Sequence, residues 1–367
     1  MSPSAAPPAA PLRVAIAGCG NISRGYARSL RTRPDLVELV GAFDVVSEAA
    51  QAFVAEYGGR AYRSLEEMLE DPRVEVVINL TSHTEHARVT APALEASKHV
   101  HSEKPLASSR EEGRRLLELA RRSGVRLSCS PFTFLGEGQR TAWKALREGA
   151  VGRVLAAYAE ANWGRIESWH PNPAGFYGPG AGPLLDVGVY PLTVLTAILG
   201  PVARVHGHAR MLLPERTIAT GPRAGQTFRV TTPDHVVAVL EFAGGAWGRL
   251  TASFVAFSVQ RGAEFHGETG SLYLSDVHNF DGRVEIRRPG LREPEVVPWV
   301  AEPYRQGVEW GRAIFELHRV LREGAPQRVT GEHAYHVLDV CLSILESAET
   351  GRPVEVTSRF TPPEPVD

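Results

Sequence analysis

The chain has 367 residues, 43% of them hydrophobic and 22% charged, with a formal net charge of −2. That length suits two domains of ordinary size, and the charge balance offers no footing for nucleic acid or an acidic membrane surface. Cys19, Cys129 and Cys341 are odd in number and far apart, so they suggest neither a disulfide framework nor a Cys-x-x-Cys metal site and point to the reducing cytoplasm.

Residues 1–11 are rich in Ala and Pro and read as a loose tail without the features of a secretory signal. No run approaches the roughly 18 apolar residues of a membrane span. Leu12–Ala17 is a short apolar strand, followed by a Gly-rich turn and a helical pattern to about residue 31. Residues 36–43 form a second buried strand ending in Asp44, and an Ala-rich helix covers Ser47–Tyr57. Ser64 with Glu67 makes a capping box, and residues 74–80 form an unbroken apolar run, the mark of a central parallel strand. A helix over residues 85–97, kinked at Pro92, leads to a strand at 98–102. Ser109 and Glu112 then cap a helix that stops at Gly124, before a strand at 125–130. This βαβ alternation predicts a doubly wound parallel sheet over residues 12–134.

The pattern then changes. A helix at 141–148 and a strand at 153–163 precede a loop of Gly, Pro and aromatics over 163–182. An amphipathic helix is expected at 183–199. Antiparallel strands follow at 202–211, 234–242, 246–257, 263–266 and 271–275, and helices at 307–323 and 331–350. Residues 135–356 thus read as an α+β domain with an open, mainly antiparallel sheet, and 357–367 as a tail.

Gly18-x-Gly20-x-x-Ser23 stands where a dinucleotide fingerprint belongs, with Asn21 and Ile22 opening the helix. The first glycine permits the turn, the second admits a pyrophosphate, and the third position needs a small residue. Asp44, 24 residues after Gly20, is placed to accept ribose hydroxyls. It would repel a 2′-phosphate, and Val45 and Val46 supply no cation, so NAD is preferred, with NADP possible.

Of 40 basic side chains only Lys98, Lys104 and Lys144 are lysines. Lys104, in Glu103-Lys104-Pro105, falls at the carboxyl end of a sheet strand, the edge where open α/β sheets bind ligands. A compact ammonium can orient one hydroxyl, which an arginine fork does less well. Asp186 and Tyr190 are four apart at the start of the 183–199 helix, on one face, with Gly188 between them. Alcohol oxidation needs a base for the hydroxyl proton while hydride leaves, and a tyrosine beside an ammonium can serve. Taken alone, the pair also fits a helix-dipole partner and a half-buried tyrosine.

The Gly18–Ser23 turn, Asp44, Glu103-Lys104-Pro105 and Asp186-x-Gly188-x-Tyr190 occur in an order and spacing that resemble the glucose–fructose oxidoreductase / inositol dehydrogenase (Gfo/Idh/MocA) family, over residues 12–356. The resemblance implies a Rossmann domain, an open-sheet second domain, and an NAD(P)-dependent dehydrogenase acting on a secondary hydroxyl of a sugar, polyol or related cyclic substrate. By the same resemblance Lys104 matches the family's active-site lysine and Tyr190 its proton-transfer position. Asp186 matches the accompanying acid. Thr193 stands where members often carry Asp or His. Two alternatives stay open: an NAD-dependent glycosidase of the same fold, and a non-catalytic sugar- or nucleotide-sensing regulator.

The segment holding Trp169 and His170 suits stacking and hydrogen bonding on a sugar ring, or else a loop pinned by prolines. Thr81, His83 and His86 fall where a cofactor should pass, although helix-terminal bonding also explains the histidines. Glu103 joins the cofactor candidates, and so does Lys104, expected to face the nicotinamide end. His235, Arg305 and His336 are weaker pocket candidates, and the Glu332-His333-x-x-His336 spacing assigns no metal. A homodimer or homotetramer is expected, because an open sheet needs covering.

Overall fold

The computed structural model describes residues 9–258 and 260–365. The tail expected at 1–11 therefore lies mostly outside the described residues. The chain divides into two compact units. Of the described residues, the first comprises those within 9–103, 114–130 and 309–331, and the second those within 104–113, 131–258, 260–308 and 332–365.

The first unit holds six parallel strands: β1 (Leu12–Ala17), β2 (Val37–Phe43), β3 (Arg60–Ala61), β4 (Val76–Asn79), β5 (His99–Ser102) and β6 (Leu127–Cys129). Their order, β3-β2-β1-β4-β5-β6, is that of a dinucleotide-binding doubly wound sheet. The central strands are apolar because helices cover both faces: Val14, Ile16, Val76 and Ile78 are fully buried. Helix α1 (Asn21–Leu30) packs into this core through Tyr26, Ala27 and Leu30. Of each expected cap the serine half forms, with Ser64 accepting from the Glu67 N–H at 3.1 Å and Ser109 from the Glu112 N–H at 3.2 Å; the glutamates accept one residue further back, from the Arg63 N–H at 2.6 Å and the Ser108 N–H at 3.0 Å.

The late helix Arg312–Glu323 lines the same core through Ile314, Phe315, Leu317 and Val320. Sequence order had set it in the second domain. Its amphipathic stripe announces burial without naming a partner, so chain order was a poor guide.

In the second unit nine strands form one sheet. Its centre is β7 (Val154–Asn162), which pairs in parallel with Trp247–Ser253 and antiparallel with Ala263–Gly267. All other pairs in this sheet are antiparallel. Short strands at Glu215–Thr217, Thr227–Arg229, Val284–Arg287, Glu295–Val297 and Val354–Glu355 escaped the sequence reading, being too brief for an alternating pattern to register.

Two expectations need correction. The stretch 183–199 is not one amphipathic helix. Leu184–Gly188 makes a wider π turn, and the α-helix Val189–Leu199 buries every residue from Val189 to Ala197. A helix apolar all round belongs in a core. Nor is 357–367 simply a tail: the Ser358 N–H donates to Asp339 Oδ2 at 3.0 Å, and the Phe360 ring stacks on His333 at 4.4 Å.

The aromatic loop at 163–182 is pinned by a buried ion cluster. Arg216, 3% exposed, reaches Glu167 Oε1 at 2.7 Å and Asp234 Oδ2 at 2.6 Å, and its guanidinium lies 4.9 Å from the Tyr177 ring centroid. Removing one partner of such a cluster strands the buried charges on the others. Arg216→Met is therefore expected to lower stability by about 3–5 kcal/mol, read from the urea midpoint; a loss near zero would mean that water enters and replaces the arginine.

Candidate active site

In the first unit β1 runs straight into the Gly-rich turn. Gly18 has φ +95°, and a Cβ there would stand 2.7 Å from the Leu80 carbonyl and the Thr81 nitrogen, so only glycine fits under the crossing backbone. Gly20 is the opposite case: a Cβ there would meet nothing within 4 Å. The first turn of α1 carries no acidic residue and no side-chain cap, so its N-terminus stands beside that open space, with the Ser23 N–H turned to the Gly20 carbonyl at 3.2 Å. This arrangement fits the pyrophosphate of a dinucleotide. Ser23, fully buried, turns its hydroxyl back to the Gly20 carbonyl at 2.6 Å, which explains why serine serves in the third position.

Asp44 directly follows β2 with its carboxylate held in place. Oδ2 accepts from the Cys19 N–H at 2.7 Å and Oδ1 from the Val46 N–H at 2.8 Å. A carboxylate offers about four acceptor sites, so this geometry is compatible with ribose hydroxyls. Burial first, and then the Asp44 charge, push the Cys19 thiol up to about 12, which keeps it protonated beside the turn.

The other cofactor candidates take up different positions. Thr81 donates its hydroxyl to Asn79 Oδ1 at 2.7 Å. His86 is buried and its Nε2 donates to the Thr81 carbonyl at 3.1 Å, so it braces the loop after β4. Glu103 is buried as well. Its Oε1 accepts from Tyr26 Oη at 2.8 Å and from Ser130 Oγ at 3.0 Å, beside His101, whose pKa burial pushes down to about 3. The Glu103 carboxylate thus fixes the end of β5 from inside. Tyr26, which supplies this anchor, carried no signal beyond its place on an amphipathic helix.

In the second unit Lys104, Asp186 and Tyr190 come together. Lys104 Nζ donates to the Asp186 carbonyl at 2.7 Å and to its Oδ1 at 2.5 Å, and lies 5.6 Å from the Tyr190 ring centroid. The π turn presents the Asp186 carbonyl and carboxylate together to the ammonium. The other lysines do structural work: Lys98 donates to the Asp71 carbonyl at 3.0 Å and Lys144 pairs with Glu148.

On the Tyr190 ring lies a residue that sequence reasoning missed. The His278 ring centroid is 4.3 Å from that of Tyr190 and 5.1 Å from that of Trp163. Burial pushes its pKa down to about 4 against the opposing pull of Asp276, so the imidazole is neutral near pH 7. Tyr190 and His278 line a cavity of about 180 Å³ with Glu160, Trp163, Arg261 and Asp276. A turn signal was present, since Asp276 Oδ1 caps the N–H groups of His278 and Asn279, but it said nothing of the tyrosine opposite.

Trp169, His170 and Thr193 do not line this cavity. Trp169 is 50% exposed with its ring against His170, and His170 Nδ1 accepts from the Asn172 N–H at 3.1 Å. Thr193 is buried in the helix core. The weaker candidates are tied up locally. His235 bonds Ser253 at 2.9 Å, Arg305 pairs with Glu302, and His336 accepts the Val202 N–H at 3.0 Å.

Residues 12–130 match the family model described as an oxidoreductase family with an NAD-binding Rossmann fold, and residues 139–273 match the GFO/IDH/MocA C-terminal domain. The 1,5-anhydro-D-fructose reductase of Ensifer adhaerens is 26% identical over 324 residues, spanning 87% of this chain and 91% of its own. The levoglucosan dehydrogenase of Pseudarthrobacter phenanthrenivorans is 26% identical over 349 residues, spanning 83% and 85%. A solved levoglucosan dehydrogenase in complex with NADH and L-sorbose has a TM-score of 0.81 at 20% identity, covering 95% of this chain and 99% of that one, a likeness of fold.

Proposed function

The chain belongs to the Gfo/Idh/MocA oxidoreductase family with its NAD-binding Rossmann domain, and from that premise we propose that it transfers a hydride between NAD and a secondary hydroxyl of an uncharged sugar or polyol. The observation that carries this reading is the meeting of Lys104, Asp186 and Tyr190. Bound NAD⁺ supplies the hydride acceptor. Asp186 takes two donors of the Lys104 ammonium and so aims it, Lys104 orients the substrate oxygen, and the Tyr190 phenol exchanges the hydroxyl proton.

An uncharged substrate is supported by the cavity's charges. Among its described lining residues Arg261 is the one cation and shares the lining with the carboxylates Glu160 and Asp276, a poor setting for a phosphate. Asp44 supports NAD over NADP, and Asp44→Ser is expected to shrink the ratio of kcat/KM for NAD⁺ over NADP⁺ at least tenfold.

The test is a panel of D-glucose, 1,5-anhydro-D-glucitol, myo-inositol and glucose 6-phosphate, followed by reduced-nicotinamide absorbance with either cofactor. Reduction by an uncharged member and NAD⁺ is expected; preference for the phosphate, or turnover of none, would overturn the reading.

The free thiols of Cys19, Cys129 and Cys341 support a cytoplasmic setting. No helix among the described residues is long and apolar enough to cross a membrane. A second copy of the chain is the proposed cover for the outer sheet face, where Tyr158, Val239 and Trp247 stand exposed on adjacent strands; light scattering reads the mass.

A further inference from the structure

We propose that His278 binds a second substrate hydroxyl, beside the one that Tyr190 deprotonates, and so restricts the site to polyhydroxylated substrates over simple secondary alcohols. The inference rests on the function proposed above.

Three observations carry it. The imidazole lies against the Tyr190 ring, at 4.3 Å between centroids, and lines the same cavity. A hydroxyl in reach of Tyr190 therefore has its neighbours near His278. Second, His278 Nδ1 is buried and has no hydrogen-bond partner among the described residues. A buried, unmatched ring nitrogen costs free energy, and a ligand hydroxyl removes that cost. Third, the ring is positioned without using its side-chain nitrogens. The Trp163 ring meets it edge-on at 5.1 Å, and the backbone N–H of His278 is held by Asp276 Oδ1 at 2.7 Å.

Its protonation state suits the role. Burial keeps the imidazole neutral, and the Lys104 and Arg261 charges act in the same direction against Asp276 and Asp186. A neutral imidazole has one donor and one acceptor nitrogen, the same pair of capacities as a hydroxyl. It therefore reads a hydroxyl without attracting an anion, in keeping with the sparse cationic lining.

The test compares wild type with His278→Phe and His278→Gln. Phe keeps a flat ring against Tyr190 and loses both polar atoms, whereas Gln keeps a donor and an acceptor. Substrates are 1,5-anhydro-D-glucitol, its 2-, 3- and 4-monodeoxy counterparts, and cyclohexanol. Expected for His278→Phe is a KM about 10- to 100-fold higher on the anhydrohexitol with kcat changed less than tenfold. At least one deoxy compound should be as poor for wild type as for the variant, and Gln should recover part of the loss.

An unchanged KM in a folded His278→Phe protein overturns the proposal. So does a kcat loss above a thousandfold at saturating substrate, which would make His278 the base. If wild type oxidises none of these compounds, the parent function fails. Saturation-transfer NMR of the anhydrohexitol with the NAD-loaded proteins then decides His278 separately. A transfer signal present in wild type and abolished in His278→Phe supports it; equal signals in the two proteins, or none in wild type, overturn it.

Discussion

Lys104→Ala is expected to lower kcat by roughly 100- to 10,000-fold while NAD still binds. The ammonium is a charged donor placed at the Tyr190 ring, and both of its bonds to Asp186 serve to aim it. With alanine the substrate oxygen loses its orienting donor, and the carboxylate of Asp186 loses its counter-charge. Both changes act on the step in which negative charge gathers on oxygen, so the loss falls on kcat rather than on cofactor affinity. Lys104→Arg separates charge from shape. A planar fork cannot reproduce a point donor held at 2.5 Å from one carboxylate oxygen, so arginine should recover little of the loss. Steady-state kinetics with NADH titration by fluorescence checks this; near-normal kcat in either variant would remove Lys104 from the chemistry.

Tyr190→Phe is expected to cost a comparable 100- to 10,000-fold in kcat, with the fold intact. The ring is 7% exposed, packed between His278 and the Lys104 ammonium, and phenylalanine fills the same space. Only the oxygen is lost, so an unfolded variant would be as informative as an active one: neither agrees with a purely chemical role for the hydroxyl. Thermal unfolding and kcat measured on the same preparation distinguish the cases.

Much of this was legible in the sequence because local rules and tertiary need coincided. Gly18 must be glycine where Leu80 and Thr81 cross it, and Asp44 follows from the strand that ends there. The scarcity of lysine pointed to Lys104, and the structure gives Lys98 and Lys144 ordinary partners. Asp186 and Tyr190 were paired by helical spacing; a π turn in fact carries the first and an α-helix the second, and Lys104 is what unites them. Long-range partners were not legible. Nothing local links Tyr26 to Glu103, or His278 to Tyr190, since strand order alone sets those distances. Trp169 and His170 were legible only as residue types: their rings meet edge-on at 5.6 Å, a contact that chain neighbours make without any signal in their spacing.

Hydride transfer is tested most directly by following the hydrogen itself. A substrate from the panel, deuterated at its carbinol carbon, is incubated with the enzyme and NAD⁺, and the reduced cofactor is examined by NMR. Direct transfer places one deuterium on the reduced nicotinamide ring, on a single face, in proportion to substrate oxidised. Deuterium released to water, or substrate consumed with no net reduced cofactor, would refute it.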